Sequence, residues 1–280
     1  MPLTVHLVDV FPSTSLTGNP LAVVTGAGNM ETARMQRLTQ WFGFSETTFL
    51  LPPTRPETDY RVRIFTLDRE MPFAGHPTLG TARVWLATAG AAPERTEFVQ
   101  ECGAGLVRVR REGELLSFAA PPLLRSGRPT AGELSEATRF LGIGENDVVD
   151  ASWIDNGPGW LGIRLASAEA VLSLTPEPRW PDHLDIGVVG PHPQGAETAF
   201  EVRAFFSDQV GTIVEDPVTG SLNASIGQWL FASGVADQPY IAAQGTCLGR
   251  NGRVHVHIDD DGQVWTGGKA NIQVAGELEA

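Results

Sequence analysis

Four short stretches of this chain carry the groups that could do chemistry. Gly75-His76-Pro77-Thr78 and Gly220-Ser221 each put a glycine and a small polar residue at the head of a mostly apolar run. A helix starting there leaves its first N–H groups without intrahelical partners and points its positive dipole end outward. Each start is therefore a site for an anion, a carboxylate being the natural case. The same field disfavours imidazolium at His76, leaving a neutral hydrogen-bonding or acid/base group. Ser221 adds a hydroxyl donor. Glu46 sits in Phe44-Ser45-Glu46-Thr47-Thr48-Phe49-Leu50, where alternation puts it on the face of Phe44, Thr48 and Leu50. A carboxyl on a largely apolar face has a raised pKa, which suits proton shuttling near neutrality. Asp216, just ahead of Gly220, is a second carboxyl. Each group also has an ordinary reading. Glu46 could be a strand-end residue facing water, the commoner case on strand pattern alone. His76 could be a helix cap, and Asp216 an Asx-type turn fixed by Pro217. The pairing of two matched helix starts favours chemistry.

The elements that must hold these groups are written twice. Arg63-Ile64-Phe65, Trp85-Leu86 and the Gln100 stretch return as Arg203-Ala204-Phe205, Trp229-Leu230 and the Gln244 stretch, at offsets of 140, 144 and 144 residues. A duplication implies two similar domains with a ligand cleft between them. The expected halves are 1–122, completed by a last strand at 268–280, and 123–267, with 121–129 as the linker. In the first half, strands are read at 4–10, 21–24, 44–51 and 60–67, with a helix capped by Asn29 and stopped by Gly43. Pro77 suits a helix's first turn. Leu79, Ala82, Val84, Trp85, Leu86 and Ala89 make that helix apolar on most sides, with Gly90 at its end, so it is buried and wrapped by strands. Residues 98–109 and 114–118 form a hairpin-like pair, with Cys102 and Cys247 in equivalent strands of the two halves. In the second half, Thr130 and Glu133 form a capping-box pattern ending near Gly142. Strands follow at 148–154, 161–165, 200–206, 254–258, 263–266 and 271–274, and 222–232 is a second apolar helix. The Pro-rich stretch 176–193 is an ordered excursion. The class is α+β.

Composition excludes several functions. The net charge of −13 opposes nucleic acid and anionic membrane surfaces. No apolar run reaches the length of a membrane span, and residues 1–10 lack the pattern of a signal peptide. Cys102 and Cys247 have no metal-ligand spacing, and a reduced, cytoplasmic setting is expected. His255 and His257 share a strand face without a third ligand at suggestive spacing, and residues 259–262 read as a solvated hairpin turn rather than a calcium loop. Dinucleotide, phosphate-loop and nucleophile-elbow motifs are missing.

Taken together, Asp9-Val10-Phe11, Gly18-Asn19-Pro20-Leu21-Ala22-Val23, Phe44-Ser45-Glu46-Thr47, Phe73-Ala74-Gly75-His76-Pro77-Thr78-Leu79-Gly80 and Glu215-Asp216-Pro217-Val218-Thr219-Gly220-Ser221 resemble the phenazine-biosynthesis PhzF-like family nearly end to end. The resemblance implies a diaminopimelate-epimerase-like fold: two pseudo-symmetric halves, each a curved, mostly antiparallel sheet or barrel around a central helix. It further implies a homodimer that uses no cofactor. The family's shuttling glutamate falls on Glu46, and its supporting His, Asp and Ser on His76, Asp216 and Ser221. Related epimerases carry a cysteine pair where this chain has Ala74 and Thr219, so thiol-based racemisation is not supported. The leading expectation is a cofactor-independent isomerase moving a proton within a small carboxylate. Glu46, His76 and Asp216 are its catalytic groups, and Gly75, Thr78, Gly220 and Ser221 bind substrate. The alternatives are a two-base epimerase or racemase using Glu46 and Asp216, and a non-catalytic binder of a small acid.

Overall fold

Two helices that lack a polar face organise the molecule. The computed structural model of the protein describes residues 3–89, 95–208 and 210–279. They form two compact units, Met1–Ala119 with Gly267–Ala280, and Ala120–Thr266. The first unit runs β1 (Leu3–Val10), β2 (Asn19–Thr25), α1 (Thr32–Phe42), β3 (Glu46–Leu51), β4 (Tyr60–Thr66), β5 (Glu70–Met71), α2 (Gly75–Thr88), β6 (Glu97–Cys102), β7 (Gly105–Glu112) and β8 (Leu115–Ala119). The second runs β9 (Arg125–Gly127), α3 (Ala131–Leu141), β10 (Val148–Asp155), β11 (Leu161–Leu165), α4 (Ala168–Leu172), β12 (Asp185–Pro191), β13 (Phe200–Ser207), β14 (Ile213–Asp216), α5 (Gly220–Ala232), β15 (Tyr240–Gln244) and β16 (Gly252–Ile258). The last strand, β17 (Val264–Leu278), begins in the second unit and ends in the first.

In the first unit β1 pairs antiparallel with both β2 and β17. The ladder continues through β3 (parallel to β2), β4, β6 (parallel to β4), β7 and β8, and β17 returns to β8, closing an eight-stranded barrel. Closure leaves no open edge. Inside lies α2, buried from Gly75 through Ala82 and at Val84. A helix surrounded by strands has little solvent side on which to carry charges, which explains its mostly apolar sequence; its one Arg or Lys, Arg83, is exposed. Outside, α1 packs on the other face of β3, where Met35 joins Phe49, Leu51 and Phe65.

The second unit repeats the order. An antiparallel pair, β10 and β11, is followed by a helix and by β12 parallel to β11; β13 and β14 follow antiparallel, then the central helix α5, then β15 parallel to β13 and β16 antiparallel to β15. Pairing therefore matches the first unit strand for strand. Even the Arg63–Glu70 pair (2.6 Å) that ties β4 to β5 has its counterpart in Arg203–Glu215 (2.8 Å) between β13 and β14. The outer core of this unit gathers Phe140, Trp180 and Phe205 beneath α3 and α4.

Local readings differ from the structure where the pattern was ambiguous. The capping box forms: Glu133 N–H donates to Thr130 Oγ1 (3.3 Å) and Thr130 N–H to Glu133 Oε2 (2.7 Å). Asn29 does not cap α1, whose N-cap is Glu31, because Met30 N–H closes a turn back to Ala27. Residues 98–109 are two strands folded at Gly103-Ala104, and 263–266 and 271–274 are one continuous strand. Part of the linker is the edge strand β9, and the Pro-rich excursion ends in the buried β12. Gln244 ends β15 rather than leading a strand, and Cys247 lies in a short 3-10 turn. Gly90, read as the end of α2, lies outside the described residues.

Candidate active site

Glu46 opens β3, and both faces of that strand are covered. Phe49 and Leu51 go outward to α1, while Thr48 turns inward, where its hydroxyl is hydrogen-bonded to Thr81 Oγ1 of α2 at 2.8 Å. Glu46 shares the inward face with Thr48. Its side chain is 18% exposed, and Oε2 lies 3.5 Å from His76 Nε2. Burial away from water pushes the Glu46 carboxyl up to about 7, against a smaller downward pull from the Ser45 hydroxyl. The expectation of a desolvated carboxyl rested on apolar strand neighbours; His76 of the central helix also lies against it.

His76 occupies the second position of α2 and is 3% exposed. Its Nδ1 faces Asn19 Nδ2 at 3.4 Å. Its other ring nitrogen, Nε2, is the one turned toward Glu46. Asn19 is delivered by a strained loop. Asp9 takes the N–H groups of Leu16 (2.6 Å) and Gly18 (2.9 Å), while Phe11 and Leu16 adopt φ of 63° and 66°. Any Cβ on Gly18 would sit 2.1 Å from Val10 O, so only glycine allows this approach. Strain of this kind marks functional loops. The N-cap of α2, Ala74, has extended backbone and no side-chain cap. Thr78 Oγ1 donates to Ala74 O (2.9 Å) and accepts from Gln100 Nε2 (2.9 Å), so it braces the first turn.

In the second unit α5 starts the same way. Its N-cap, Thr219, makes no cap bond; its hydroxyl donates to Asp216 Oδ2 at 2.6 Å. Gly220 and Ser221 form the first turn, and Trp160 Nε1 donates to Ser221 Oγ at 3.2 Å. Asp216, at the end of β14, is 8% exposed. The structure thus brings Glu46, His76, Gly75 and Thr78 together in one unit, and Asp216, Gly220 and Ser221 together in the other. Asn19, Gln100, Gln244 and Trp160 were not read as site residues, although Asn19 sits in a quoted motif and both glutamines in the quoted repeat.

The remaining candidates are ordinary. Burial raises both Cys102 and Cys247, which disfavours thiolate. Among the described residues no three His, Cys, Asp or Glu side chains cluster as a metal site, and His257 stacks on Trp265. Asp259 closes its hairpin by accepting the N–H groups of Asp261 and Gln263.

Paired units of mostly antiparallel strands, each holding a buried helix with a polar start, are the diaminopimelate-epimerase-like fold. Residues 8–277 match the family described as phenazine biosynthesis-like protein (PhzC-PhzF), and the chain belongs to that family. It is 32% identical to antisense-enhancing sequence 1 of Schizosaccharomyces pombe, covering 96% of each chain. It is also 32% identical to the trans-2,3-dihydro-3-hydroxyanthranilate isomerase of Pseudomonas fluorescens, over 87% of this chain and 86% of that one. Among solved structures, a predicted epimerase from Pseudomonas aeruginosa superposes with a TM-score of 0.80 at 27% identity, covering 100% of both chains. No helix among the described residues is long and apolar enough to cross a membrane.

Proposed function

We propose that this protein is a cofactor-independent isomerase that moves a proton within a small carboxylate, with Glu46 as the shuttling group. One observation carries the reading: a carboxyl held near pKa 7 by burial, 3.5 Å from the imidazole of His76, beside a helix start without a side-chain cap. A carboxylate there takes a proton from an activated carbon; the resulting acid returns it to another carbon, so the enzyme ends as it began. His76 holds or protonates a neighbouring heteroatom, and Asp216 is assigned the same kind of role. The amides of Gly75, and those of Gly220 with the hydroxyl of Ser221, are the proposed carboxylate sites, with Thr78 bracing the first helix start. The isomerase names of relatives such as the Pseudomonas fluorescens protein agree with this chemistry. The working form is a homodimer, with no nucleic-acid or membrane partner.

The test is solvent-deuterium incorporation into trans-2,3-dihydro-3-hydroxyanthranilate and related small acids. Glu46→Gln is expected to abolish incorporation while leaving binding within a few-fold; full activity in that variant removes the role. Epimerisation with Glu46 and Asp216 as opposing bases is the second reading, supported by the buried carboxyl of Asp216 at the other helix start. Inversion at one carbon, rather than label on two, would select it.

A further inference from the structure

We propose that Thr219 and Gln244 are positioning residues that hold Asp216 as a directed hydrogen-bond acceptor at the start of α5; this rests on the reading that Asp216 takes part in the reaction. The direction of every bond in the chain is fixed. Gln244 is 1% exposed. One end of its amide meets two donors, Thr219 N–H (3.0 Å) and Asn223 Nδ2 (2.8 Å), so that end is the oxygen. The other end is then the NH2 group, which donates to Thr219 Oγ1 (2.8 Å) and to the main-chain oxygen of Asp216 (3.1 Å). The Thr219 hydroxyl, already accepting, has one proton to give, and it goes to Asp216 Oδ2. The last member of such a chain must accept, and a carboxylate does so best.

The first unit supplies an internal control. Gln100 occupies the matching strand and also donates to a hydroxyl, that of Thr78. That hydroxyl passes its proton to the main-chain oxygen of Ala74, the N-cap of α2, not to a carboxylate. The glutamine is common to both halves; only the second half ends the relay on an acid. Thr219 stands at an N-cap, where threonine ordinarily bonds to the helix amides, yet its hydroxyl is diverted to Asp216. Charged side chains also stand on the neighbouring elements. On β13, Arg203 is paired with Glu215 (2.8 Å) and Glu201 with His192 (3.1 Å). The turn after β15 carries Arg250, and α5 and β15 carry no charged residue.

The experiment is a carbon-13 NMR titration of the Asp216 carboxyl in the substrate-free protein, assigned against Asp216→Asn, alongside kinetics with trans-2,3-dihydro-3-hydroxyanthranilate. Losing the hydroxyl donor in Thr219→Val should raise the Asp216 midpoint by about one pH unit. It should lower kcat roughly tenfold with KM nearly unchanged. Thr219→Ser should restore both. Gln244→Met, which frees the hydroxyl to rotate, should give part of the same rise, and Thr219→Ala replaces Thr219→Val if valine mispacks. A midpoint unmoved in the folded Thr219 and Gln244 variants overturns the proposal. A midpoint that moves while kcat stays keeps the positioning role and removes Asp216 from the reaction.

Discussion

At the residue scale, Glu46 ties stability to activity. Its ordinary carboxyl value of 4.5 is raised to about 7 in the fold. Between those values the folded protein keeps a proton that the unfolded chain releases, so stability falls as pH rises from about 4.5 to 7 and is flat above. Glu46→Gln removes that cost. The variant should be more stable than the parent at pH 8, by roughly 3 kcal/mol, and indistinguishable at pH 4; denaturant midpoints at the two pH values check this. In the active protein the carboxylate is the working base, so kcat/KM should rise with pH through about 7, measured as deuterium uptake. Trp160 gives a separate prediction. Its N–H takes one lone pair of Ser221 Oγ, which leaves the serine proton to be given elsewhere. Trp160→Phe keeps the ring and loses the donor, so KM should rise several-fold with kcat little changed in a steady-state assay. Glu46 was legible as a carboxyl in a strand. The strand pattern leaves open whether it faces water or a covered surface, because that depends on the helix packed on the strand's inner face.

At the element scale, the helix starts work because the helices cannot shift. Gly80 of α2 packs so closely on β2 that a methyl there would lie 2.4 Å from Leu21 Cδ2 and 3.1 Å from Val10 Cγ2. Gly80→Ala should cost about 1–3 kcal/mol in denaturant unfolding, through overpacking rather than helix propensity, which alanine would improve. Helices with strong local signals were readable. Pro77 in the first turn, the Thr130–Glu133 box and the left-handed Gly43 and Gly142 all lie where their chemistry put them. The misread elements have physical causes. Gly103-Ala104 folds a hairpin inside what looked like one strand, and β12 hides in a proline-rich stretch because a strand buried on both faces shows no alternation.

At the scale of the whole molecule, the first unit depends on the far end of the chain. Leu3–Val10 pairs with residues 270–278, and this ladder closes the barrel. Deleting 267–280 should therefore expose 3–119 to protease while 120–266 stays protected, read by limited proteolysis with mass spectrometry. The proposed dimer predicts a mass near twice the 30.0 kDa chain by light scattering.

The amino-acid order alone determined the duplication, the two apolar helices with polar starts, and the identities of the acids and hydroxyls beside them, because these are matters of composition and short-range spacing. Only the tertiary structure decided which of those groups are dry and which way their protons point. Burial depends on strands distant in sequence, and the direction of a hydrogen bond depends on the partner that folding supplies: Trp160 for Ser221, and Gln244 for Thr219.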